Sequence, residues 1–322
     1  MTHHSIGQGQ LLADLKIGIE IKPWHRILKV AVDTGILLGL LHSANRFCAA
    51  TTQTSRRNRM QVLEQVMRLV REVAAREVMP RFLHVGKSRK EDGTLFTEAD
   101  LACQAALQRG LPEILPHPVL GEEMDREEQD ALWDGNQDGL WVVDPIDGTT
   151  NFVNGLPYFA ISVGLMVNGK SELGVIYNPV SDEMFYARRG QGAWMNGRSL
   201  PLKTIHNCIG DAIASVEVKY LRSGKLAARL GSLAPCGSQR NMGSSTLDWC
   251  FLAAGRYDLY LHGGQRLWDY AAGAVILEEA GGRIASLNSD DYWSDVIWKR
   301  SVIAAITPEL FGQWHRWVRA NQ

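Results

Sequence analysis

Trp141-Val142-Val143-Asp144-Pro145-Ile146-Asp147-Gly148-Thr149-Thr150-Asn151-Phe152 is the stretch on which the reading of this chain turns. Its apolar start reads as a buried strand. Pro145 has no N–H for a sheet ladder, so the strand is expected to end there. Asp144 and Asp147 flank the bend and converge on one point. Gly148 lets the backbone come close to a ligand. Thr149, Thr150 or Asn151 then caps a short helix whose free N–H groups face an anion. Read alone, a D-x-x-D in a loop is two solvated turn residues. Two carboxylates beside an anion-binding helix start imply instead a cation between them. Mg²⁺ is the first choice, because it binds through a few carboxylates and substrate phosphate.

Working outward, 322 residues make one large domain or two modest ones. A hydrophobic fraction of 45% and a charged fraction of 21% are ordinary for a globular protein. The net charge of -1 gives no electrostatic case for nucleic acid or an anionic membrane as a partner. Cys48, Cys103, Cys208, Cys236 and Cys250 are scattered and form no C-x-x-C, which argues against a disulfide framework or zinc and for a reducing, cytoplasmic setting.

Residues 1–59 look unlike the rest and read as a weakly structured or dispensable extension, with Met60 as an alternative start. The apolar run 27–44 carries Lys29, Asp33 and His42 and falls short of a spanning helix, which needs roughly 20 nearly uncharged residues. An interfacial anchor is the competing reading of this segment. Residues 60–322 form the main domain, with subdomains near 60–205 and 206–322. Val62, Val66, Leu69, Val70 and Val73 recur at helical spacing after Met60, and Pro80 marks the expected stop. Thr97 and Asp100 mark a helix start, with Gly110 and Pro112 as its expected close. Pro118–Glu123 reads as a short strand ending in two acids, and 124–139 as an acidic loop. Tyr158 to Gly197 reads as an antiparallel meander, which with the flanking helices gives an α+β layered domain. Asp258–Leu261 reads as a strand. Leu267-Trp268-Asp269-Tyr270-Ala271-Ala272-Gly273 opens a helix that stops at Gly281-Gly282.

Together these motifs resemble the inositol monophosphatase family of lithium-sensitive, Mg²⁺-dependent phosphatases. The signature W-[VI]-[VI]-D-P-[IL]-D-G-T-x-N-F is matched throughout Trp141–Phe152, and W-D-x-A-A-G…E-A-G-G at Trp268–Gly282. Gly121-Glu122-Glu123 and Thr97–Asp100 match two further stretches, so the resemblance covers about residues 60–320. It implies an α/β/α/β/α sandwich, a homodimer and two to three Mg²⁺ per site. The implied metal ligands are Glu122, Asp144, the Ile146 carbonyl, Asp147 and Asp269. Thr149, paired with Asp100, orients the attacking water together with Glu122. The N–H groups of Gly148 and Thr149 hold the phosphate. Lys90 lies on a loop over the site. Asp147, Gly243, Ser244, His262 and Asp269 face the alcohol half of the substrate.

One departure matters. Many inositol monophosphatases carry a Glu about seven residues before the position of Asp269, where it binds substrate hydroxyls. Here that position is His262, which cannot accept from two hydroxyls as a carboxylate does. His262 and Arg266 are therefore expected to favour a substrate with a second anionic group. The implied activity is hydrolysis of a small phosphate monoester, inositol monophosphate first. The alternatives are a 3′(2′),5′-bisphosphate nucleotidase and a sugar or histidinol phosphatase. A non-catalytic regulatory binding role is the reading from a different class.

Overall fold

The structure, a computed structural model, describes residues 60–84, 88–89, 95–221 and 224–322. The extension 1–59 and Lys90 lie outside the described residues, and residues 60–322 form one compact unit. In chain order the first half comprises α1 (60–73), β1 (Ser88–Arg89), β2 (Leu95–Phe96), α2 (Glu98–Ile114), β3 (Val119–Gly121), α3 (Arg126–Gly135), β4 (Leu140–Asp147), α4 (Thr149–Val153), β5 (Ala160–Val167), β6 (Lys170–Asn178), β7 (Glu183–Arg188), β8 (Ala193–Met195) and β9 (Arg198–Ser199). The second half comprises β10 (Ile213–Glu217), α5 (Lys225–Leu233), β11 (Ser238–Arg240), α6 (Ser245–Ala253), β12 (Leu259–Gln265), α7 (Leu267–Tyr270), α8 (Gly273–Glu279), β13 (Arg283–Ala285), β14 (Arg300–Ala305) and α9 (Pro308–Asn321).

Strands β3 to β9 make one sheet in chain order, β3 parallel to β4 and the rest an antiparallel meander. The second sheet runs β11-β10-β12-β14-β13. β4 is buried on both faces, which is why its sequence is a continuous apolar run rather than an alternation. Trp141 and Val143 join Val66, Val70 and Leu107 beneath α1 and α2. Leu140 and Val142 join the larger core that holds Trp249 of α6, Tyr270 of α7 and Ile276 of α8. The second sheet closes over those helices, and Trp314 of α9 packs on its outer face. The result is an α+β fold of two mixed sheets layered between helices.

Three boundaries differ from the expectations, each for a local reason. Segment 124–139 contains α3, because the Asp125 carboxylate caps it by accepting from the Glu128 N–H at 2.8 Å while Leu132 and Trp133 pack on the core. α2 runs through Gly110 and Pro112 to Ile114. Gly110 is small because a Cβ there would lie 2.7 Å from the Leu69 side chain, so it lets α1 come close. β4 continues past Pro145 to Asp147.

The two strand glycines Gly164 and Gly174 are cross-strand partners under the break between α7 and α8. A Cβ on Gly164 would sit 2.9 Å from the Ala271 carbonyl carbon, and one on Gly174 would overlap the Ala272 carbonyl oxygen. The small residues of the Asp-Tyr-Ala-Ala-Gly run thus answer a glycine floor. Gly174→Ala is expected to destabilise the fold by about 1–3 kcal/mol, the usual range for overpacking. Denaturant unfolding checks this, and a value near zero would mean that the helix pair can lift off the sheet freely.

Candidate active site

The carboxylates of Asp144, Asp147 and Asp269 meet at the C-terminal end of β4. Residues three apart on a regular strand face opposite sides of a sheet. Here Asp144 pairs with Ser162 but Asp147 pairs with Ala160, so one extra residue is inserted in β4. This bulge returns Asp147 to the face of Asp144. Pro145 falls within the bulge, where a missing N–H costs no ladder bond. Asp269 comes to the same point from the first turn of α7, where its Oδ2 accepts from the Arg266 N–H at 2.8 Å.

The three carboxylates each place an oxygen within 4.8 Å of the others. Asp144 is buried, and its Oδ1 accepts from the Ile146 N–H at 3.1 Å. Asp147 Oδ2 accepts from the Ser244 hydroxyl at 2.6 Å, the Thr246 N–H at 2.6 Å and the Thr246 hydroxyl at 2.7 Å. The start of α6 therefore grips one oxygen of Asp147. Burial first, then Glu122, Asp147 and Asp269, pushes Asp144 well above the usual carboxylate range. Burial and then Asp147 raise Asp269 in the same way, and burial also raises Asp147 against its hydrogen bonds. The Arg266 charge lowers Asp269, but less than burial and Asp147 raise it. Clustered, buried, all-oxygen donors whose charges are this poorly balanced fit a hard divalent cation.

The other expected residues fall as follows. Glu122 follows β3, beside β4, and its charge raises all three aspartates, although among the described residues the close cluster comprises those three alone. Gly148 caps the start of α4 at φ +90, and a Cβ there would be 3.0 Å from the Tyr158 carbonyl oxygen. The expected Asp100–Thr149 bond is not made. Asp100 Oδ2 accepts from both the N–H and the hydroxyl of Thr97 at 2.7 Å, closing a capping box on α2, and the Thr149 hydroxyl donates to the Ile146 carbonyl at 3.1 Å. Burial pushes Asp100 up to about 7.

Asp147, Gly243, Ser244, His262 and Asp269 all line one cavity of about 350 Å³. His262 does not bring positive charge to it. Burial, aided by Lys219, holds the ring at about 3, and Nδ1 accepts from the Gly264 N–H at 3.1 Å. Arg266 is outside the cavity lining and donates to the Trp298 carbonyl at 3.4 Å. The anion-binding rim expected from these two side chains is thus corrected to a neutral ring and a guanidinium outside the cavity lining.

Sequence reasoning missed Thr246, Glu217 and Asp248. Asp248 is an acid set in the apolar run 247–253 of α6, a signal that was available. It is buried beside the cavity and takes the Tyr158 hydroxyl at 2.9 Å, with burial raising it to about 8. An unfolded Asp titrates near 3.9. Between those values the folded chain holds a proton that the unfolded chain has released, so this carboxyl's contribution to stability declines as pH rises through that window. Asp248→Asn keeps a partner for Tyr158 and removes the proton. The expected result is a stability–pH slope shallower by about 1.4 kcal/mol per pH unit in metal-free urea titrations at pH 5.5–7.5. An unchanged slope would show that Asp248 ionises normally.

Comparison with known proteins agrees with this geometry. The family model described as the inositol monophosphatase family matches residues 55–321. Nus factor SuhB of Pasteurella multocida is 36% identical over 203 residues, 62% of this chain and 74% of that protein. Inositol monophosphatase 1 of Solanum lycopersicum is 33% identical over 264 residues, 77% of this chain and 92% of that protein. The solved structure of staphylococcal IMPase-II with 2′AMP bound superimposes with a TM-score of 0.67 at 25% identity, covering 81% of this chain and 95% of that one.

Proposed function

Because the chain belongs to the inositol monophosphatase family, we propose that it is a Mg²⁺-dependent, Li⁺-inhibited hydrolase of a small phosphate monoester, with inositol monophosphate as the first candidate. The observation that carries this is the triad of Asp144, Asp147 and Asp269, with oxygens within 4.8 Å of one another, of which Asp147 and Asp269 line a polar cavity large enough for a small ester. These three, with Glu122 and the Ile146 carbonyl, would hold two or three Mg²⁺. Bound Mg²⁺ lowers the pKa of water and stabilises a leaving alkoxide. The residues supply the rest. Glu122 takes a proton from the attacking water. The Gly148 and Thr149 N–H groups donate to the phosphate, and the Thr149 hydroxyl orients the water. Ser244 and Thr246 fix Asp147 by its Oδ2 and leave Oδ1 for the cation. We further propose a cytoplasmic homodimer in which residues 60–322 suffice for activity. Among the described residues no helix is long and apolar enough to cross a membrane.

The test is phosphate release with Mg²⁺ from inositol 1-phosphate, fructose 1,6-bisphosphate, histidinol phosphate, 2′-AMP and adenosine 3′,5′-bisphosphate, with Li⁺ added in a second arm. No release from any ester sinks the proposal. The relatives named as Nus factors favour a second reading, a binding role. Wild type and Asp144→Asn assayed side by side separate the two, since a binding role survives loss of the aspartate.

A further inference from the structure

Two groups of side chains stand out in the lining of the cavity. One is Asp147 and Asp269 of the carboxylate cluster. The other comprises Glu217, Lys219, Asn241 and His262, carried on or beside adjacent strands of the second sheet. Glu217 ends β10 and stands in register with His262 of β12, so both side chains share one face of that sheet. The carboxylate is held in place at both oxygens. Oε1 accepts from the Lys219 backbone N–H at 2.7 Å, and Oε2 accepts from the Asn241 side-chain amide at 3.1 Å. A carboxylate offers about four acceptor sites, so each oxygen keeps further capacity. Among the described residues no Phe, Tyr or Trp lines the cavity, and His262 is its one aromatic ring. A nucleobase would find only the His262 ring to stack on, whereas a fixed acceptor suits hydroxyl groups.

We propose that Glu217 is the specificity-determining residue for the alcohol half of the substrate, accepting hydrogen bonds from hydroxyls of a polyol phosphate. This rests on the phosphatase reading above. A hydroxyl-to-carboxylate bond is charge-assisted and, inside a cavity, leaves an unsatisfied group when its partner is lost. Glu217→Gln keeps the shape and the Lys219 contact but loses the charge.

The experiment compares two esters, inositol 1-phosphate and p-nitrophenyl phosphate, whose alcohol half carries no further hydroxyl. For Glu217→Gln, kcat/KM on inositol 1-phosphate is expected to fall about tenfold to a hundredfold, mostly through KM, with p-nitrophenyl phosphate changed by less than about twofold. Asn241→Ala frees one oxygen of Glu217 and is expected to give the same pattern at about three- to tenfold. It stands in if Glu217→Gln does not fold. Equal losses on both esters, or none on either, overturn the proposal. Binding of a non-hydrolysable phosphonate analogue of inositol 1-phosphate is measured in parallel. If wild type hydrolyses neither ester, the phosphatase reading fails, and Glu217 is then judged on this binding. A tenfold weaker affinity in Glu217→Gln supports its role, while equal affinity, or no binding to wild type, overturns it.

Discussion

Substituting Asn for Asp144 is expected to lower kcat/KM for phosphate release by about a thousandfold or more, and at the same time to raise the melting temperature of the metal-free protein. The two effects have one origin. Asn has the shape of Asp and keeps an oxygen for the Ile146 N–H, which Asp144 accepts at 3.1 Å. What it loses is a carboxyl that the empty fold must keep protonated or bury as a charge, beside two others with oxygens within 4.8 Å of it. Asp144 is raised by burial and by Glu122, Asp147 and Asp269, so its ionised form is disfavoured in the empty fold. Removing that ionisable group spares the empty fold this cost and relieves the other two, and each kcal/mol gained is worth about 2–4 °C in a domain of this size. In the proposed hydrolysis the same carboxylate would be a cation ligand, and electrostatic groups at a phosphoryl site carry most of the rate. Calorimetry in chelator and steady-state phosphate release are the two measurements. A variant that lost activity and stability together would point to plain misfolding of the β4 bulge.

Much of this site was legible in the chain. Asp144, Asp147 and Asp269 could be named because D-P-I-D-G-T-T-N-F and W-D-Y-A-A-G are restrictive runs, and the structure brings them together. The means of their convergence was not legible. Pro145 reads as a strand end by every local rule, yet the strand survives it because the bulge needs no donor at that position. Bulges are set by the neighbouring strand, and Ser162 and Ala160 lie too far along the chain to signal one. Asp100 illustrates a similar limit. The Thr97–Asp100 spacing fits both a capping box and an arm toward Thr149, and the described geometry makes the first. Glu217 could not be found from sequence at all. Its place beside His262 depends on the parallel pairing of β10 with β12, elements separated by a whole helix–strand–helix crossover. The glycine floor under Ala271 and Ala272 is likewise a property of two strands meeting a helix break, while each glycine alone looks like a weakness in a strand.

The second large effect concerns the cation itself. Adding Mg²⁺ to metal-free protein at pH 8 is expected to raise the melting temperature by about 5–10 °C at a concentration a hundred times the dissociation constant. The size follows from linkage, since ligand at that excess stabilises by about 2.7 kcal/mol and each kcal/mol is worth about 2–4 °C. The dependence on pH follows from the raised aspartates. Asp144, Asp147 and Asp269 are all pushed above their ordinary values, mainly by burial. Over the interval from about 4, where an unfolded Asp titrates, up through their folded values, the metal-free fold holds protons that the unfolded chain does not. Its stability therefore falls as pH rises, which is the sign opposite to that of a salt-bridged carboxylate. Mg²⁺ needs the ionised forms and must displace those protons at low pH. The thermal shift should accordingly shrink on going from pH 8 to pH 5.5 and should be largely abolished in Asp144→Asn. Scanning fluorimetry with and without chelator at the two pH values measures this directly. A shift of equal size at both would mean that the aspartates are already ionised in the empty fold, and that something other than a cation balances the charge buried at the end of β4.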